Sequence, residues 1–569
     1  MAEVLLSPGV LANENDSTFI QQQPIQAGAA LLGPTVKGPV GIPTVCTSYS
    51  DYLNKFGAIV ESGSNEYTYF TSVAAYGYFQ QGGNTLLVTR IVSGSYTSAT
   101  SSIIANSDTS ASFTLETIAE GDVQNSTSTE GSAGQLADGT KDNLRWEVVS
   151  PNTSSGTFSL LIRRGDDIRT SKTVLETWTD LSLDPNASNY ISRVIGDQSL
   201  TVRQDGSTYY TQLSGSYANA SRYVRVKSVA TPTLNYFDNA GTAKSAFTSS
   251  IPVAASGAFG GALGTDFDGV VANFNENINS TNTQGLVADN YTTSLNLLAN
   301  QDEYKYNLIV APGLYNVDYS SPLTTMVNNS QTRGDNIAVI DMVKYGQTIT
   351  SVTTQAAGKD SSYAATYWPW VQTIDPDLGD QVWVPASTMI PGVYAFNDNS
   401  SEAWFAPAGL SRGGLSTVIR AERKLTNGNR DTLYQANVNP IATFPNAGVV
   451  VFGQKTLQKK ASATDRVNVR RLLIELKSYI SQIADNLVFE QNTIATRNNF
   501  LSQVNPYLES VQQRQGLYAF KVIMDETNNT PDVIDRNQLV GQIFIQPTRT
   551  AEFIYLDFNI LPTGATFPA

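Results

Sequence analysis

Alternation of apolar and polar residues is most regular at the C-terminal end of the chain. Segments 520–524, 540–545 and 553–560 are three strand-like runs in succession. In the last, Ile554, Leu556, Phe558 and Ile560 fall on one face and Tyr555, Asp557 and Asn559 on the other. That period of two is the pattern of a half-buried strand. Chain ends are usually polar and frayed. An end this regular predicts pairing with a sheet, either its own or that of another copy.

Further upstream the pattern divides the chain into pieces. Residues 1–22 read as an arm: Val4, Leu5, Leu6 and Val10 are apolar, and Ser7-Pro8-Gly9 makes a turn. Residues 23–95 read as an α/β piece, with strands at 29–33 and 85–92 and helices at 50–56 and 67–81. Residues 96–255 turn to Ser, Thr, Gly and Asn, with short strands at 113–117, 144–149, 158–163 and 223–227. They predict an inserted all-β domain. Residues 256–385 alternate again: helix 288–299, strand 306–311 closed by Pro312-Gly313, helix 321–332, strand 337–341. Strand, helix, strand predicts a parallel sheet with a right-handed crossover. Residues 386–552 hold Pro- and Gly-rich loops and a helix over 465–487, and 553–569 form a second arm. Along that helix Val469, Leu472, Leu473, Leu476, Ile480, Ile483 and Leu487 make an apolar stripe. Arg466, Arg470 and Lys477 make a basic stripe beside it.

Composition narrows the function. The 569 residues are too many for one core, so three or four domains are expected. Charged residues are 15 % of the chain and the net charge is −14. Phosphate neutralisation needs basic surface, so a nucleic-acid partner is not expected. No apolar stretch reaches the ~18 residues of a membrane span, and no membrane insertion is expected. The start carries no basic region ahead of its apolar run, which predicts a chain made and kept in a cytosol. There is one cysteine, Cys46, and no histidine. An internal disulfide is impossible, and the commonest general base and zinc ligand are missing. No catalytic residue, metal ligand or cofactor is assigned. A carboxylate-based hydrolase in 256–385 is the remote alternative.

Three constellations stand out. Segment 455–471 holds Lys455, Lys459, Lys460, Arg466, Arg470 and Arg471 against the single carboxylate of Asp465. It reads as a solvated face or as a dock for an acidic partner. The terminal strands read either as a sheet closed within one subunit or as strands exchanged between copies. Phe520, Val522, Met524, Val540, Ile543 and Ile545 would then supply the accepting sheet. Trp368, Trp370, Trp383 and Trp404 cluster among prolines, which points to packing before ligand binding.

In order, short blocks of the chain resemble the tail sheath proteins of contractile-tailed bacteriophages. They include Leu6-Ser7-Pro8-Gly9-Val10, Gly38-Pro39, Ser50-Asp51-Tyr52, Phe56-Gly57, Gly82-Gly83 and Leu87-Val88-Thr89-Arg90. Ile309 to Gly313, Arg333-Gly334-Asp335, Tyr367-Trp368-Pro369-Trp370, Trp383 to Ser387, Pro391 to Tyr394, Asn437 to Pro440 and 464–560 continue the match. The resemblance covers 1–95 and about 256–569; residues 96–255 match poorly.

It implies a mixed α/β and α+β multidomain fold. An inner α/β core is built from both chain ends. An all-β outer domain is inserted, the middle domain is a subtilisin-like parallel-sheet unit, and extended arms stand at each end. It also implies stacked six-fold rings of this chain around a tail tube protein, with baseplate and tail terminator proteins as further partners. Arms carrying Val4, Leu5, Leu6 and Val10, and Ile554, Leu556, Phe558 and Ile560, would link copies. Arg466, Arg470, Arg471 and Lys477 would face the tube. Contraction would drive the tube through the host envelope for genome ejection, in a virion tail assembled in host cytoplasm. A headless contractile particle or cellular injection system is the near alternative. Without histidine, a Ser-His-Asp mechanism is excluded in the subtilisin-like domain.

Overall fold

The computed structural model describes residues 25–62, 65–107, 110–126, 130–264, 278–286 and 290–555. Its centre is a six-stranded sheet in the order Ala364–Ala365, Ile337–Asp341, Leu308–Tyr315, Ala29–Gly33, Leu86–Arg90, Thr44–Cys46. Five strands run parallel and the last is antiparallel to its neighbour. Ala29–Gly33, Leu308–Tyr315 and Ile337–Asp341 are buried at every position. That is why their sequences are continuous apolar runs: parallel strands are covered on both faces. The expected strand 306–311 does not close at Pro312-Gly313. It continues to Tyr315 through a register shift, with Gly313 at φ 97 in the left-handed region.

Helices flank this sheet, one of them capped by a serine side chain. Ser48 accepts from Asp51 N at the start of helix Tyr49–Phe56, and Gly57 ends it at φ 74. Helix Phe70–Gln80 is buried along most of its length and packs against helix Ile390–Ser400. Helix Ser320–Arg333 closes on Gly334, again left-handed.

The 23–95 and 256–385 pieces, distinct in sequence, share this one sheet and one apolar core. Among the described residues the sheet takes no strand from beyond Ala365. The apolar core around the sheet nonetheless takes in Leu433, Ile441, Val451, Val467 and Ile474 beside Ala30, Val73 and Leu87, so residues far apart in the chain pack in one core. Periodicity identifies buried strands but carries no information on which buried strand lies beside which.

The inserted region is mostly strands, with a short helix at Ile191–Ile195, and packs around Phe113, Leu115, Phe158, Leu160 and Val224. Its larger sheet runs Val174–Ser182, Thr157–Arg164, Leu144–Asn152, Ala255–Ala258, and a three-stranded sheet joins Val224–Val229, Ala111–Glu120 and Ser98–Ile104. Arg90 ties this domain to the central sheet. Its fully buried guanidinium donates to the carbonyls of Gly38 at 2.8 Å and Glu120 at 2.7 Å.

Four tryptophans sit as packing residues. Trp368 and Trp370 are buried in the central core, and Trp370 Nε1 donates to the Val343 carbonyl at 3.2 Å. Trp383 packs half-buried against Tyr345, and Trp404 joins the C-terminal cluster described below.

At the carboxyl end of strand Ile337–Asp341, Asp341 is buried and accepts from Ser387 N at 3.2 Å and from Ser387 Oγ. Burial pushes its carboxyl up to about 7, against the lowering effect of those two bonds. The acid form is the one this site favours.

The C-terminal segment builds a second apolar cluster, while Val467 and Ile474 of its first helix join the central one. Helix Val467–Asp485 buries Leu472, Leu476 and Ile483 against Phe500, Val504, Leu508 and Val511 of helix Ile494–Gln513. The first helix matches the expected 465–487 apart from its ends. The second is not among the expected helices, because Pro506 lies inside it and its outer face is mostly neutral and polar, Glu509 apart. Its spacing, Phe500, Val504, Leu508, Val511, is nonetheless that of one helical face. Tyr479 and Tyr507 stack between the helices.

Two outcomes follow from this packing. Asp341 gains stability by folding protonated, a gain present below the unfolded carboxyl range near pH 4 and lost as pH rises through about 7. Asp341→Asn should therefore melt several degrees above wild type at pH 8 and level with it at pH 4. An equal difference at both pH values contradicts the burial argument. Leu508→Ala should cost the C-terminal unit about 2–5 kcal/mol in a denaturant titration. A loss under about 1 kcal/mol would show that the two helices are not held by this cluster.

Candidate inter-subunit surface

Leu517–Ile523 and Gln542–Pro547 form an antiparallel hairpin on the two C-terminal helices. Phe520 opposes Ile545 and Val522 opposes Ile543. These four pack, partly buried, against the helix cluster, and Met524 is buried in it. Val540 stands outside the strand, where its N–H donates to Asn529 at 2.9 Å. The side chains of the candidate accepting sheet thus face their own helices, while the backbone edges are what remains. The hairpin is a two-stranded sheet; among the described residues no third strand pairs with either outer edge. Its other face shows Tyr518 and Phe544, 63 % and 55 % exposed.

Beyond the hairpin the chain crosses back to the body. Thr548 N donates to the Gly516 carbonyl at 3.1 Å, and Gln454 Nε2 donates to Thr550 Oγ1 at 2.6 Å. Glu552 then receives four donors. Arg466 contributes Nε at 2.8 Å and Nη2 at 3.0 Å, Tyr434 its hydroxyl at 2.8 Å, and Gln454 its amide at 3.1 Å. Burial pushes this carboxyl up, but the Arg466, Tyr434 and Gln454 donors outweigh it and hold Glu552 below the usual carboxylate range. Phe553, Ile554 and Tyr555, immediately after, are 70 %, 76 % and 92 % exposed. A groove of about 990 Å³ runs beside this crossing, lined by Phe405, Arg412, Arg430, Tyr434, Phe452, Tyr518 and Phe553 among others.

Residues 553–555 are not in a strand, and Leu556, Phe558 and Ile560 lie outside the described residues. So do Val4, Leu5, Leu6 and Val10 of the other arm.

The basic stripe is placed unevenly. The helix starts at Val467, so Arg466 is the extended residue before it, at φ −113 and ψ 137. That lets it turn to Glu552. Arg470 lies over the Tyr363 ring, 4.1 Å from its centroid, and donates to Ser362. Arg471 lies over Tyr394 at 4.7 Å and pairs with Asp398. Both arginines are 7 % exposed. These three cations are turned onto their own chain, each stacked or paired with a group of the central body. Lys477 is exposed, with Nζ 3.5 Å from the Tyr363 hydroxyl. Wheel position alone puts all four on one stripe; it does not register the aromatic rings waiting in the body. Nor does periodicity indicate Tyr434, Gln454 or Glu552. The available signal for Glu552 is a lone carboxylate placed directly ahead of an apolar run.

Among the described residues no helix is long and apolar enough to cross a membrane, and no group of three or more carboxylate or thiol side chains is arranged to hold a metal ion.

Comparison with known proteins matches residues 284–457 to the phage tail sheath protein central domain and 459–561 to the phage tail sheath C-terminal domain. The tail sheath protein of Vibrio phage KVP40 is 43 % identical over 185 residues, 32 % of this chain and 28 % of that protein. The tail sheath protein of Enterobacteria phage T4 is 36 % identical over 248 residues, 44 % of this chain and 37 % of that protein. The matches therefore span about a third of these relatives' length. The sheath tail protein of Listeria innocua shares the fold, with a TM-score of 0.52 at 12 % identity over 92 % of this chain and 95 % of that one. Residues 284–457 and 459–561 are thus similar to the central and C-terminal domains of phage tail sheath proteins.

Proposed function

We propose that this chain is the repeating subunit of a contractile tail sheath, assembling with copies of itself as stacked six-fold rings around a tail tube. The hairpin Leu517–Ile523/Gln542–Pro547 carries this reading. It has two open edges among the described residues, and a strand-patterned segment leaves the body beside it. A two-stranded sheet is marginal on its own and gains from each strand added. One added strand brings about four to six backbone hydrogen bonds, each worth roughly 0.5–1.5 kcal/mol net. Arms from other copies supply those strands: Val4, Leu5, Leu6 and Val10 at one end, Ile554, Leu556, Phe558 and Ile560 at the other.

The role is structural. Asp341, at a strand end where α/β enzymes often hold ligands, is buried and accepts from Ser387. Contraction is a two-state rearrangement in which folded bodies rotate and slide while the strand links hold. Arg470 on Tyr363 and Arg471 on Tyr394 and Asp398 fasten the C-terminal unit to the central body, so that the two turn together. Docking to the tube then falls to the exposed part of helix Val467–Asp485, with Lys477 as its cation. Baseplate and terminator proteins meet the two ends of such a stack, in the tail of a virion.

Deleting 1–12 or 553–569 should leave a soluble monomer that forms no tubes in negative-stain images. Long tubes from either truncation contradict strand exchange. Lys477→Glu should weaken assembly around preformed tail tubes while leaving free polymers of the chain intact. Unchanged assembly on tubes removes the docking role of Lys477.

A further inference from the structure

Glu552 is the last residue of the chain that the body holds before the exposed run begins. Both of its carboxylate oxygens are satisfied twice. Oε1 receives Arg466 Nε and Gln454 Nε2; Oε2 receives Arg466 Nη2 and the Tyr434 hydroxyl. The Arg466 contact is bidentate, the arrangement that fixes direction as well as distance. The three partners come from separate places: Tyr434 from the end of helix Asn427–Gln435, Gln454 from beyond strand Gly448–Val451, Arg466 from the entry to helix Val467–Asp485. None belongs to the hairpin that the segment has just left. A tail with no task beyond solubility has no use for such a fully occupied anchor just beyond the hairpin strand that ends at Pro547. The next residue, Phe553, is already 70 % exposed.

We propose that Glu552 is the positioning residue of the C-terminal arm: its clamp on Arg466, Tyr434 and Gln454 sets the direction in which residues from Phe553 onward leave one subunit toward a second copy. The idea rests on the strand exchange proposed above. Each residue of an extended arm advances about 3.3–3.6 Å. Ile554 and Leu556 therefore stand only a few residues from the clamp, and an error in its direction is carried to every position that must register with a neighbour's edge. A one-residue slip of that register would turn Ile554, Leu556, Phe558 and Ile560 to the wrong face. The clamp also routes load. When bodies rotate, tension along the arm reaches the central body through the Arg466–Glu552 pair rather than by peeling the hairpin from its helices.

The test uses the purified full-length chain. Critical concentration for polymer formation is measured by sedimentation, tube regularity by negative stain, and folding by thermal melt. Glu552→Ala and Glu552→Gln should raise the critical concentration about tenfold or more while the melting temperature stays within about 2 °C of wild type. The exchanged pair Arg466→Glu with Glu552→Arg should polymerise better than either single reversal. Wild-type polymerisation by Glu552→Ala overturns the proposal, as does an exchanged pair no better than its single changes. So does a large fall in melting temperature, which would make Glu552 a residue of the fold alone. Deletion of 553–569 separates the two ideas. If that deletion still polymerises, strand exchange fails and the clamp has nothing to position. If it fails while Glu552→Ala polymerises normally, only the clamp is lost.

Discussion

Backbone hydrogen bonds cannot be left unmade at a sheet edge without consequence. Among the described residues the C-terminal hairpin has two such edges, and its apolar side chains are already committed to the helices beneath. What it can still offer a partner is therefore main chain, in the form of ladders that another strand completes. This constraint orders the rest of the molecule. It demands strands that can travel, and the sequence supplies apolar alternation at its C-terminal end and an apolar patch at its start. It demands a rigid platform, and the paired helices Val467–Asp485 and Ile494–Gln513 supply one.

The platform is fixed to the body by Val467 and Ile474, which join the central core, and by a seam of different chemistry. Both cores are aliphatic and aromatic. Across the seam run two guanidinium groups on aromatic faces: Arg470 on Tyr363 and Arg471 on Tyr394. Such contacts bring direction through planar geometry, and buried cations tolerate few alternative seats. A subunit that transmits force needs its parts to keep one relative placement, and this seam provides it. Chemistry that looks like a docking patch in the sequence is in three places out of four an internal fastening.

Much of the fold was legible in the chain. Burial on both faces makes 29–33, 308–311 and 337–341 unmistakable apolar runs, and Gly57 and Gly334 mark helix ends because only a left-handed residue closes them cheaply. The inserted β-domain was readable from alternation between turns. Pairing was not: nothing in Ala29-Ala30-Leu31-Leu32 says that Ile309 lies beside it. Helix Ile494–Gln513 was hidden by Pro506, although its apolar residues keep helical spacing. At the surface, the open hairpin was readable as strands, but the cations were misleading. Charge at a wheel position does not reveal whether an aromatic ring or a carboxylate from far along the chain will meet it. Glu552 depends wholly on such distant partners, so local sequence carries almost no trace of its role.

The account stands or falls on where the arms go in the assembled polymer. A cryo-electron microscopy map of tubes formed by the full-length chain, at a resolution that traces the backbone, decides it. The account predicts residues 553–560 of one subunit hydrogen-bonded along an outer edge of the hairpin of another. A map in which 553–560 folds back onto its own hairpin, with neighbouring copies meeting only through side chains, would contradict it.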